Sequence, residues 1–162
     1  MNDLTSPASW TIRVAKPLDA EAIFSVHKDS VASLCSGSYL PQQIAQWMDG
    51  RSSETYLNAI TRGEIHVAVS AGHIVGFVEA TSGEIVKLFV RGSAAGIGIG
   101  SRLMSAGIKL AQRGHHGPIR IESTKNAESF YAKFGFFKVG SGTFSRGGSS
   151  IPIEIVHLLG DF

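Results

Sequence analysis

The run Val90-Arg-Gly-Ser-Ala-Ala-Gly-Ile-Gly-Ile-Gly-Ser101 constrains this chain more than any other stretch. Gly96, Gly98 and Gly100 stand at alternate positions between two different patterns. Upstream, Glu84 to Val90 is short and rich in β-branched and aromatic residues, which predicts a strand. Downstream, Ser101 to Arg113 sets Leu103, Ala106 and Leu110 on one side, which predicts a helix. Glycines between a strand and a helix start let backbone approach an anion, and the free N–H groups of the first helical turn point at it.

Two nucleotide loops fail on spacing. A P-loop requires lysine after its last glycine, and none follows here. A Rossmann G-x-G-x-x-G would need its third glycine at Ser101 or at Leu103, and the strand lies too late in the chain for a doubly wound sheet. A glycine turn with no ligand is the plain structural reading.

Val90, Gly98, Gly100, Ser101, Leu103 and Met104, at their spacing, resemble the acyl-CoA-binding motif of the GNAT superfamily of N-acyltransferases, usually [Q/R]-x-x-G-x-[G/A] at the mouth of a helix. Both glycines match. Ala95 stands where Gln or Arg is usual, Ile97 where a basic residue is common, and Gly92 where proline is common. The resemblance therefore implies a pyrophosphate held mainly by backbone N–H groups from Gly96 to Ser101. About thirty residues on, Asn126-Ala127-x-x-Phe130-Tyr131-x-Lys133-x-Gly135-Phe136 resembles the family's N-A-x-x-F-Y-x-x-x-G-F signature. Trp10 to Val14 followed by Asp19 to Ile23 is similar to the family's opening strand and helix, and Tyr39, Pro41, Ile44 and Trp47 resemble a bacterial subgroup. The resemblance covers roughly residues 10–158.

Length and composition fit this picture. The 162 residues suit one domain with a proper core, here an acetyltransferase domain over 1–162. Hydrophobic content of 43% and charged content of 17% are those of a globular chain. No stretch approaches the ~20 apolar residues of a membrane span, and Met1 to Ser6 shows no signal-peptide pattern. A cytoplasmic location with no membrane partner is the expectation. A net charge of +2, with scattered Lys and Arg, argues against nucleic acid. Cys35 is the single cysteine, has no nearby His in sequence, and is read as packing. His115 and His116 lack a third ligand at metal spacing, so no metal is expected.

Periodicity and turn signals predict strands at 10–14, 65–71, 73–80, 84–90, 118–123, 136–145 and 151–158. They predict helices at 18–34, 98–113 and 126–134, with a helical region at 41–61 broken near Gly50, and a mobile loop at 140–150. Asp19 is a plausible N-cap. The strand–helix–strand unit 84–123 makes its two strands parallel. The fold expected is α/β (α+β): a mixed, mostly antiparallel central sheet of six to seven strands with helices on both faces.

The resemblance implies acetyl-CoA as co-substrate and direct acetyl transfer to a primary amine of a small molecule or peptide terminus. A non-catalytic acyl-CoA-binding or sensing module of the same fold is the alternative. The implied cofactor contacts are Leu88, Phe89, Val90, Ala95, Gly96, Ile97, Gly98, Ile99, Gly100, Ser101, Asn126, Phe130 and Tyr131, with Phe89 N–H as oxyanion donor. The family places the tyrosine of its F-Y pair by the departing sulfur, which makes Tyr131 the general acid; read without the motif it is a core aromatic. Asn126 is a pantetheine contact, a helix N-cap, or both. Glu84 is the preferred general base, with Glu79 and Glu122 as the other carboxylates near strand ends. Arg102 and Lys109 share a helix face and are phosphate candidates or simply solvated. Residues 24–62, with Tyr39 and Trp47, and the loop 140–150 are expected to choose the acceptor. A homodimer is left open.

Overall fold

Three strands joined by tight turns begin the sheet that carries the glycine loop. A computed structural model of the chain describes residues 10–145 and 151–162. Residues 1–9 and the last part of the expected 140–150 loop, residues 146–150, lie outside the described residues. Strand β1 (Trp10–Val14) pairs antiparallel with β2 (Ile65–Ser70), β2 with β3 (His73–Thr81), and β3 with β4 (Glu84–Val90). Ala71 (φ 49°) and Gly72 (φ 77°) are both left-handed, the geometry of a two-residue hairpin turn whose twist matches its strands. After β4 the chain crosses through a helix and returns as β5 (Ile119–Ser123), parallel to β4. Strands β6 (Phe136–Phe144) and β7 (Ile153–Gly160) close a seven-stranded sheet of order β1-β2-β3-β4-β5-β7-β6. Residues 140–144, where the expected strand 136–145 and loop 140–150 overlap, belong to β6.

Helices cover both faces. Helix α1 (Ala20–Leu34) buries Ile23 and Val26 against Val67 and Phe77 on one face. It is entered by a 3-10 turn at Pro17–Asp19. Asp19 does not cap with its side chain. Its carboxylate instead takes the Arg13 guanidinium at 2.7 and 3.0 Å and the Lys16 N–H at 2.7 Å, tying β1 to the helix entry. On the same face lie α2 (Pro41–Trp47) and α3 (Leu57–Thr61), the two pieces of the region broken near Gly50. Helix α4 (Ile99–Ala111) packs Leu103, Met104 and Leu110 on the opposite face with Val78, Ile85 and Ile121. The short α5 (Glu128–Ala132) follows a 3-10 turn at Lys125–Ala127.

Candidate active site

Strands β4 and β5 share only two residue pairs, Glu84 with Arg120 and Ile85 with Ile121, and then part. The parting begins at a bulge. Glu79 faces Lys87 across β3–β4 while Ala80 faces Ile85, so Val86 is an extra residue in β4. Ile85 packs on the α4 side, and simple alternation would send Lys87 there too. The extra residue reverses the phase. Leu88 and Val90 now face α4, while Lys87 and Phe89 face α1.

The same register decides which backbone groups are free. Arg91 N–H bonds Val75 C=O at 2.8 Å, which makes 91/75, and two residues back 89/77, the hydrogen-bonded pairs of the antiparallel ladder. The N–H and C=O of Leu88 and Val90 therefore turn away from β3, into the gap where β5 has departed. Phe89 N–H, the expected oxyanion donor, turns back to β3. The donor at the gap is Leu88.

Beyond β4 the chain makes a 3-10 turn at Gly92–Ala94. Gly92 N–H bonds Asp29 Oδ2 at 2.9 Å, and a β-carbon there would lie 2.7 Å from Ser33 Cβ on α1. Proline, common at this place, would remove the N–H and collide with the helix. Gly96 (φ 79°) and Gly98 (φ 92°) then take left-handed conformations, and Gly98 leads into α4. The first intrahelical bond reaching back is Arg102 N–H to Gly98 C=O, leaving the N–H groups of Ile99, Gly100 and Ser101 as the helix's unpaired donors.

The gap and the loop open into one cavity of about 610 Å³, within the range of small-molecule sites. Val90, Ala95, Gly96, Gly98, Gly100 and Ser101 line it together with Leu88, Phe89, Asn126, Phe130 and Tyr131. Ile97 and Ile99 do not line it. Ile97 points to solvent and Ile99 is buried in the core, so these two offer backbone only.

Tyr131 is buried, and burial pushes its phenol well above the ordinary range. It stays protonated across the neutral range and can act as a hydrogen-bond donor into the cavity. Asn126 sits inside the 3-10 turn capped by Thr124, so it is not an N-cap; its side chain meets the Cys35 thiol. Burial raises that thiol to about 11, and the Asn126 hydrogen bond opposes the rise. Cys35 is thus a protonated thiol at neutral pH, a poor nucleophile despite lining the cavity.

The carboxylates divide. Glu84 lies at the closed end of the gap, 3.5 Å from Arg120, and does not line the cavity. Glu79 is held by Lys87 at 3.3 Å. Glu122 lines the cavity on the β5 arm. Among the described residues no group of three or more His, Cys, Asp or Glu is placed to hold a metal.

A family model described as an acetyltransferase (GNAT) domain matches residues 35–156. The chain belongs to the GNAT acetyltransferases. No curated protein sequence matches it. Solved structures give the same fold at low identity. A GCN5-related N-acetyltransferase from Rhodopseudomonas palustris is 20% identical, with a TM-score of 0.80 and 98% of this chain and 99% of that one covered. PaiA N-acetyltransferase from Thermoplasma acidophilum, solved with coenzyme A, is 21% identical, with a TM-score of 0.76 and coverage of 95% and 99%. YncA from Salmonella typhimurium, solved with acetyl-CoA, is 16% identical, with a TM-score of 0.69 and coverage of 93% and 92%.

Within this acetyltransferase several of the expected site residues lie apart from the cavity. Arg102 lies over the Trp10 ring, 5.2 Å from its centroid, and does not line the cavity. The cation that lines the cavity near Phe130 and Tyr131 is Lys133, whose position in the second motif was visible without its role. Tyr39 and Trp47 do not line the cavity. Tyr39 Oη donates to Glu154 C=O at 2.6 Å and accepts Lys125 N–H at 2.9 Å, so it positions the turn that carries Asn126. Trp47 packs edge-on against Tyr39 and Phe144. The side chains of Gln43 and Gln46 on α2 reach the carbonyls of Pro152 and Ile151. This cluster fastens α2 to the start of β7.

Proposed function

We propose that this acetyltransferase moves the acetyl group of acetyl-CoA directly to a primary amine of a small molecule or peptide terminus. The observation that carries the reading is the gap-facing backbone of Leu88 and Val90, opening onto the free N–H groups of α4 and facing Tyr131. Backbone donors from Gly96 to Ser101 hold the pyrophosphate, as expected where Ala95 and Ile97 replace polar side chains. Lys133 adds the positive charge the loop lacks. Leu88 and Val90 pair with the amide-bearing arm as a strand neighbour would.

A lysine-like amine with a pKa near 10.4 costs about 4.6 kcal/mol to neutralise at pH 7. Glu122 takes that proton, since it is the carboxylate lining the cavity; Glu84 is bound up with Arg120 at the closed end. The amine nitrogen then attacks the thioester carbon. Leu88 N–H donates to the oxygen as it gains charge. The C–S bond breaks, and Tyr131 Oη donates a hydrogen bond to the departing sulfur. The nitrogen's second proton is released to water, and the proton held by Glu122 passes through water to the thiolate, leaving the neutral amide and free CoA. Cys35, kept protonated, takes no acyl group.

Acetyl-CoA or CoA at 100 times its Kd should raise stability by about 2.7 kcal/mol. A thermal shift with CoA, together with thiol release on an amine panel, tests the reading. Failure of CoA to shift the melting curve sinks it. A shift with no turnover of any amine would favour the non-catalytic acyl-CoA-binding module.

A further inference from the structure

From the placement of Lys87 we infer that the acceptor is an amine carrying a carboxylate close to its nitrogen, an α-amino acid or a near analogue, and that the Lys87 ammonium binds that carboxylate. This rests on the acetyltransferase reading above and deepens it.

The bulge at Val86 turns Lys87 to the α1 side, opposite the helix that holds the cofactor loop. Lys87 directly precedes Leu88, whose N–H addresses the gap. Its side chain therefore stands on the acceptor side of the reacting carbonyl. It lines the same cavity as Ser30 and Leu34 of α1 and Cys35 just after that helix. The side chain is only 19% exposed and its partner Glu79 only 11%, so both charges are largely withdrawn from water. An ammonium has three donors. Among the described residues Lys87 spends one, on Glu79 Oε1 at a long 3.3 Å. The Glu79 contact fixes the head of a flexible side chain, and the remaining donors are available to the cavity.

Charge on this face then alternates across the gap. Lys87 lies on the β4 arm and Glu122 on the β5 arm, both among the lining residues. Ile121 packs toward α4, so Glu122 points to the opposite face, the one Lys87 occupies. A zwitterion fits this order, with its carboxylate toward β4 and its amine toward Glu122. A neutral or purely cationic amine would leave Lys87 facing an apolar group or a like charge, which disfavours it.

The test compares α-amino acids with their amides in acetyl-CoA turnover, in wild type and Lys87→Met. The wild type should favour the carboxylate form in kcat/KM by about tenfold or more, the worth of one charge-assisted hydrogen bond. The Lys87→Met ratio should fall to near one, while Lys87→Arg keeps most of the preference. The amide's less basic amine biases against the expectation, and taking each variant's ratio to wild type cancels that bias. Because Lys87→Met strands Glu79, the Glu79→Gln/Lys87→Met double variant is measured beside it; CoA-induced thermal shift confirms that each is folded. Pairs that do not turn over are compared by calorimetric binding to the CoA-loaded protein. No carboxylate preference in wild type, or one that survives both Lys87→Met variants, overturns the inference. If CoA still shifts the wild-type melting curve and amines still turn over, the acetyltransferase reading stands when the inference falls.

Discussion

A β-carbon built on Gly100 would lie 3.4 Å from the Phe130 ring. The first turn of α4 and the second sequence motif therefore touch, and the two stretches that revealed the family form one surface. Alanine at Gly100 meets that ring at ordinary contact distance. Valine pushes it, and overpacking of this kind costs about 1–3 kcal/mol. Gly100→Ala should bind CoA nearly as wild type does, and Gly100→Val should bind it about tenfold or more weakly. Isothermal titration with CoA reads both.

Gly98 presents a different limit. Nothing lies within 4 Å of a β-carbon there, but its φ of +92° is left-handed. Gly98→Ala therefore meets no collision and is opposed by the backbone alone, at about 1–2 kcal/mol. Urea unfolding without ligand should show this loss, in contrast to Gly100→Ala.

Lys133 is the cation lining the cavity near the aromatic pair. Lys133→Ala should weaken CoA by about tenfold at low salt, the worth of one charged contact. The gap between variant and wild type should narrow as salt rises. Equal affinity at low salt would remove Lys133 from the phosphate site.

Tyr131 should affect turnover more than binding. Tyr131→Phe keeps the ring packed on Phe130, at 5.3 Å between centroids, and removes the hydroxyl. We expect kcat to fall about 10- to 100-fold with little change in KM, since the bond to sulfur strengthens as charge develops. Burial raises this phenol, so it remains protonated below its raised value. The wild-type rate should show no loss attributable to tyrosine ionisation between pH 7 and about 10.

Acid should loosen the entry to α1. The Arg13 hydrogen bond, aided by the Lys16 N–H, lowers the Asp19 carboxyl below its usual value. A lowered folded-state value means the contribution is present above the unfolded value, near 3.8, and is lost as pH falls through the lower folded one. Asp19→Asn should cost about 1.5–3 kcal/mol at pH 7. Urea midpoints should show the two proteins converging as pH falls below about 4.

The element order and the glycine loop were legible because they depend on local signals. Gly98 and Gly100 announce the loop, and Asn126 to Phe136 repeats a spacing. The bulge was not legible in register, since Val86 is one more apolar residue in an apolar run, and only pairing with β3 shows it to be extra. That is why Phe89 was expected to supply a donor that belongs to Leu88. The acceptor side was harder still. Tyr39, Gln43 and Gln46 read as a helix with aromatic neighbours, but their partners Glu154, Pro152 and Ile151 lie over a hundred residues away. Glu84 looked well placed in sequence because its pairing with Arg120, at the closed end of the gap, depends on a long crossover.

The extra residue in β4 has a consequence for how such a protein can change over generations. Past Val86, alternate positions of one short strand face opposite sides of the sheet: Leu88 and Val90 face α4, Lys87 and Phe89 the α1 side. On the function proposed, mutation at one parity would retune the recipient of the acyl group while the other parity kept its grip on the donor. Deleting Val86 would straighten the strand and leave both sets on their faces, because Ile85 and Lys87 would then alternate regularly opposite Ala80 and Glu79. Facing on this strand is thus set by its pairing with β3, and both substitution and loss of the bulge leave that pairing standing.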